Sequence, residues 1–132
     1  MREKERKRMR KRLDLEMRPY RQAAKYKNPT HGLLRAIRHA LDIPVAELVK
    51  ELGINQSSLF ALEARELEGT ITLESISRVS RAMGCRVIYG IVPCEGETIE
   101  TLLERRYWAE LLGVPLRTVA EKNAAIRKML KE

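Results

Sequence analysis

Nineteen consecutive residues, Val45 to Glu63, constrain the fold more than any other stretch of this chain. Val45, Leu48, Val49 and Leu52 recur at three- and four-residue steps, which places them on one face of a short helix. Gly53 follows, where the chain can take the positive φ angle that ends a helix. Ile54 is an apolar turn residue, and Asn55 is suited to cap a second helix that turns Leu59 and Leu62 inward. Leu48, Leu52, Ile54, Leu59 and Leu62 meet in one small core if the two helices cross steeply. The pattern is that of a helix-turn-helix.

Similar punctuation surrounds this pair. Leu34, Ile37, Ala40 and Leu41 form an apolar stripe from about Gly32 to Leu41. Pro44 is expected as the first residue of the next helix, where its missing N–H is harmless. After a turn at Glu68 to Thr70, Thr72 is expected to cap a fourth helix that carries Leu73, Ile76, Val79 and Met83 inward, up to Gly84. Cys85 to Val92 is rich in β-branched and aromatic residues and ends at Pro93, the composition of a short β-strand. Such a strand needs a partner from elsewhere in the chain or from a second protomer. Two further helices are expected at about Thr98 to Leu112 and Leu116 to Leu130. Ahead of everything, Arg2 to Lys27 is helix-permissive, with Leu13, Met17 and Tyr20 on one face, until Asn28, Pro29 and Thr30 interrupt it. The expected architecture is mainly α: a helix-turn-helix bundle over 31–84, a basic and partly helical arm over 1–30, and one strand with an appended helical pair over 85–132. That last segment is a candidate for dimerisation or partner binding.

The charge is distributed unevenly. The chain of 132 residues has 26 Lys and Arg against 18 Asp and Glu, a net charge of +8. Residues 1–12 hold eight basic and two acidic side chains, and residues 13–30 four and two, so +6 and +2 account for all of it. From His31 onward the signs balance at fourteen each. At 5% aromatic residues the core must come from Leu, Ile, Val, Ala and Met. Cys85 and Cys94 are too few for a disulfide framework, and with His31 and His39 they match no zinc pattern, so a reduced cytoplasmic setting without metal or cofactor is expected. No segment reaches the roughly 18 apolar residues of a membrane span. Leu13 to Glu16 stand where a signal peptide would need an apolar run, so export is not expected. An enzyme is not expected either: there is no Gly-rich phosphate loop and no Ser/His/acid set.

The second helix of the central pair leaves a face that its core does not use: Gln56, Ser57, Phe60, Ala61 and Ala64, with Arg65 one turn on. Where such a helix enters a DNA major groove, Gln pairs with an adenine edge, Ser bonds a base or a phosphate, and apolar atoms touch a thymine methyl. Asn55, with the first N–H groups of the helix, suits a phosphate oxygen. Candidate recognition residues are therefore Asn55, Gln56, Ser57, Ser58, Phe60, Ala61 and Arg65. Candidate contacts to the DNA backbone are Arg6, Arg8, Arg10 and Arg12 of the basic arm, with Thr70 and Thr72. A solvated tail is the plainer reading of that arm.

Residues 31 to 84 resemble the repressor-type helix-turn-helix family, the Cro and lambda-repressor-like domains of the Xre type. The wider run resembles the family called mobile mystery protein A, in Arg12-Leu13-Asp14, Leu34 to Arg38, Leu41, Leu52-Gly53-Ile54, Gln56, Leu62-Glu63, Arg65-Glu66, Glu68 to Leu73 and Cys85 to Pro93. This resemblance spans about residues 12 to 93. It implies a bacterial, cytoplasmic and nucleoid-associated DNA-binding regulator of mobile genetic elements, encoded beside a Fic-domain protein in a toxin–antitoxin-like pair. A homodimeric repressor of its own operon is the first expectation, and direct binding and inhibition of the Fic-type toxin is the alternative. Two positions depart from the motif: Val49 stands where a small Ala is usual, and Val45 where many repressors carry a phosphate-binding Gln.

Beyond Pro93 the chain repeats the spacing. Trp108, Ala109, Leu112, Gly113, Val114 and Val119 follow the central pattern at an offset of sixty residues from Gly53, with Arg117 and Thr118 outside and Lys122 where a buried apolar residue is expected. The readings are a second DNA-contacting unit, a helical hairpin for dimerisation or toxin binding, and simple packing.

Overall fold

A computed structural model describes residues 1–94 and 96–131. Eight helices are present among the described residues: α1 (Glu3–Glu16), α2 (Arg18–Ala23), α3 (Leu33–Ala40), α4 (Val45–Leu52), α5 (Gln56–Glu68), α6 (Leu73–Ala82), α7 (Ile99–Leu112) and α8 (Val119–Lys131). The chain divides into two compact units. One is the continuous stretch Tyr26–Tyr89 and the other joins Met1–Lys25 to Gly90–Glu132.

In the continuous unit, α3 to α6 enclose a core of Leu34, Leu48, Leu59, Val79 and Met83, with Val49, Leu52, Ile54, Leu62 and Ile76 packed against it. The five residues expected to meet across the central pair are all in this cluster. Burial of a Leu or Val side chain contributes about 1.5–3 kcal/mol, so each member of this small aliphatic set counts in the unit's cohesion. Pro44 sits one position earlier than expected, as the N-cap of α4 rather than its first helical residue. Val49 is accommodated: it is half-buried, and its carbonyl accepts the Ile54 N–H at 3.1 Å.

In the discontinuous unit, α1 packs along α7, and α7 against α8. Leu13, Met17 and Tyr20 are half-buried, as their shared face requires. The first 25 residues are thus part of a folded unit, which differs from the separate arm over 1–30 expected from the charge pattern. Asp14 Oδ1 accepts the N–H of Ile99, the first residue of α7, at 2.8 Å, so a carboxylate of α1 closes the N-terminus of α7. Glu97, buried, accepts two bonds from Arg105 (3.1 and 3.0 Å), and Arg105 Nη1 also donates to the Leu116 carbonyl at 2.7 Å. That guanidinium fixes the turn between α7 and α8.

The strand expected at Cys85 to Val92 does not form; among the described residues there is no strand. The Cys85 N–H is taken by the Ser80 carbonyl at 2.8 Å, which closes the end of α6, and Gly84 turns the chain at φ 80°. The segment has strand composition but meets no second extended segment to complete a ladder, because its neighbours on both sides are helices. Ile88, Tyr89 and Ile91 remain exposed.

Candidate functional site

The site is built around the turn between α4 and α5. Gly53 lies in the left-handed region (φ 67°, ψ 31°), where a side chain is disfavoured, and its N–H bonds to the Lys50 carbonyl at 3.3 Å. Asn55 is the N-cap of α5, and its Oδ1 accepts the Ser58 N–H at 2.7 Å. That oxygen is therefore committed to the helix, which leaves the Asn55 side-chain amide as the group free to donate outward.

From this start α5 divides cleanly by face. Leu59 is fully buried and Leu62 half-buried, while Gln56, Ser57, Ser58, Phe60, Ala61, Ala64 and Arg65 are all exposed. Phe60 keeps 43% of its surface accessible, so its ring is available at the exposed face.

Charged residues that lie inside hold α5 in place. Arg38 Nε donates to Glu63 Oε1 at 2.9 Å and its Nη2 to Glu63 Oε2 at 3.3 Å, with both residues buried. One turn on, the Glu66 carboxylate accepts the Leu33 and Leu34 N–H groups at 2.7 and 2.9 Å, and so closes the N-terminus of α3. Two residues of α5 thus bind α3, and the orientation of the exposed face follows from them. Neither role was anticipated from sequence. The signal was present, because Arg38 lies four residues after Leu34 and Glu63 four after Leu59, so opposite charges occupy inward positions on both stripes.

The other anticipated residues fare unequally. Thr72 is the N-cap of α6: its Oγ1 accepts the Ser75 N–H at 3.1 Å and donates to Ser75 Oγ at 3.0 Å, so its hydroxyl is engaged locally. Thr70 is exposed on the turn before it. On α1, Arg10 is paired with Glu3 (3.1 Å) and Glu100 (2.8 Å), and Arg12 with Glu16 (2.8 Å). The hydrogen bond to Glu3 is the main cause that raises the Arg10 pKa above its ordinary value, and the bond to Glu16 does the same for Arg12. Arg6 binds the Met1 carbonyl through Nη2 at 2.7 Å, and Arg8 is exposed. This row belongs to the discontinuous unit, whereas Asn55 to Arg65 belong to the continuous one.

The C-terminal echo holds at one end only. Gly113 repeats the left-handed turn (φ 68°, ψ 21°), and Val114 N–H bonds to the Ala109 carbonyl at 3.2 Å as Ile54 does to Val49. The next helix starts later than at Gln56: six residues separate Leu112 from Val119, against three between Leu52 and Gln56. Leu116, anticipated as helical, is buried in that turn, and Lys122 is buried with its Nζ donating to Glu104 at 3.2 Å.

The chain matches no protein-family model, no curated protein and no solved structure. Among the described residues no group of three His, Cys, Asp or Glu side chains is placed to hold a metal ion, and no helix is long and apolar enough to cross a membrane.

Proposed function

We propose that this protein is a sequence-specific double-stranded DNA-binding transcriptional regulator of the repressor-like helix-turn-helix type, with α5 as the helix that reads the major groove. The observation that carries the reading is the division of α5: an exposed Gln56, Ser57, Phe60 and Ala61 on a helix start whose inner face is locked by Leu59, Glu63 and Glu66. A groove-reading helix needs both properties at once, small or amide-bearing side chains at its exposed start and a rigid mount. At thirteen residues α5 is roughly 20 Å long, enough for its first two turns to lie in a groove while its last turn stays with α3.

Autorepression of an operon shared with a Fic-domain protein and direct inhibition of that protein rest on the resemblance of residues 12 to 93, while action as a homodimer rests on the C-terminal helices as a protomer contact, the strand at Cys85 to Val92 not having formed. The test of DNA reading is a footprint on the chain's own upstream region. Protection of a palindrome is expected, with loss or redistribution of that protection in the double variant Gln56→Ala, Ser57→Ala. An unchanged footprint would remove α5 from the role. Co-purification with the neighbouring Fic-domain protein, with its activity suppressed in the complex, would instead support the direct inhibitor.

A further inference from the structure

Two grooves run along the sides of α5, and each carries exposed arginine on its rim. On the α3 side, Arg35, flanked by His31 and His39, lines a groove against Phe60, Ala64 and Leu67. On the α6 side, Arg65 and Arg78, with Ser58 and Ser75, line a cleft of about 260 Å³ floored by Leu52, Ile54 and Val79. Among the described residues the only carboxylate lining either groove is Glu63, and it is bonded to Arg38. This arrangement is segregated rather than the product of a general surplus: Tyr26 to Tyr89 holds eight Lys and Arg against seven Asp and Glu, a net of +1. Asp42, Glu47, Glu51, Glu68 and Glu74 all stand outside the two linings.

We infer that these rims hold the two phosphate backbones bordering the groove that α5 enters, with Arg35 on one strand and Arg78 on the other. The inference rests on the DNA reading above and extends it to residues that the motif did not single out. A helix with its side chains is about 10–12 Å across and the major groove about 12 Å wide, so a helix in the groove has a phosphate strand close on each side. A neutral reading face between two cationic rims matches that layout, and a guanidinium can grip a phosphate through paired N–H groups. Such contacts position the domain without choosing a sequence.

The test uses the full chain and a short duplex of random sequence, with affinity measured across a range of salt concentrations. Each phosphate contact contributes about 0.9 to the slope of log affinity against log salt. Arg35→Ala and Arg78→Ala are each expected to flatten that slope by about 0.9, the double variant by about 1.8, and Arg78→Lys to restore most of the loss. The Arg35 side chain is exposed and bonded to no other among the described residues, so its variant should melt like the parent; Arg78 is exposed but donates to the Leu52 carbonyl at 3.5 Å, so its slope is compared with that of Arg78→Lys at a temperature well below either melt. Slopes unchanged in both variants, while Gln56→Ala with Ser57→Ala alters the sequences selected from a random pool, would overturn the rims and leave the DNA reading standing. A loss confined to one variant would overturn the two-strand arrangement. A parent chain that binds no duplex would overturn both.

Discussion

Arg38 and Glu63 set the largest single-residue stakes in the molecule. Each is buried, and each satisfies the other through two hydrogen bonds. Removing one partner leaves a charge without water or counter-ion, which costs about 3–5 kcal/mol, whereas replacing both with apolar residues of similar size is often close to neutral. Arg38→Met alone is therefore expected to lower the denaturant midpoint sharply, and Arg38→Met with Glu63→Leu to recover much of the loss; equal midpoints for the two variants would show that the unpaired Glu63 carboxylate carries no such cost. Gly32 is a second sensitive position. It sits at φ 86°, and a Cβ there would lie 2.9 Å from Glu66 Oε1, the oxygen that accepts the Leu34 N–H. Gly32→Ala combines about 1–3 kcal/mol of strain, from a positive-φ extended conformation that glycine alone adopts readily, with displacement of that cap, and hydrogen exchange at Leu33 and Leu34 should accelerate more than at Leu48.

Among the elements, the helices that sequence reading placed well are those whose ends are decided by neighbours in the chain. Asn55, Thr72 and Thr98 each cap through a backbone N–H three residues on, and Gly53 and Gly113 each take a left-handed angle, all of which can be read locally. The misses have non-local causes. The helix ends closed by Asp14 and Glu66 depend on partners 85 and 33 or 32 residues away in sequence. The delayed start of α8 goes with Leu116, whose carbonyl is held by Arg105 and whose side chain is buried. The strand at Cys85 to Val92 fails because composition can favour extension but cannot provide a pairing partner. The exposed face of α5 was legible from spacing, while its mount on α3 was hidden in two charged residues at inward positions. Within the discontinuous unit, Gly90 tests packing at this scale: a Cβ added there would overlap the Tyr20 ring. Gly90→Ala should lower the melting temperature of that unit, and Gly90→Ala with Tyr20→Ala should give part of it back. If the single variant melts like the parent, the ring is free to move aside.

For the whole molecule, the charge surplus and α5, the helix proposed to read DNA, lie in different units. Of the net +8, +1 belongs to Tyr26–Tyr89 and the remaining +7 to the unit made from both chain ends. The continuous unit has its own core, so a fragment of residues 26–89 is expected to unfold cooperatively by circular dichroism and, on the proposed role of α5, to show the sequence preference of the full chain. Deleting residues 1–25 should leave that transition in place and melt α7, because the deletion removes the helix packed along it and the Asp14 cap. A fragment that is unstructured, or a truncated chain in which both units melt together, would contradict this independence.

The same discontinuity orders events during synthesis. Residues 26–89 leave the ribosome complete and can fold while the chain is still growing. Helix α1 emerges first but cannot settle, since Asp14 must wait for Ile99 and Arg10 for Glu100. At about 5–20 residues per second, several seconds separate the appearance of α1 from that of its partner. During that interval the most basic segment of the chain is also its least structured. A nascent-chain protease digest should therefore find the first 25 residues cut and the next 64 protected until α7 is out.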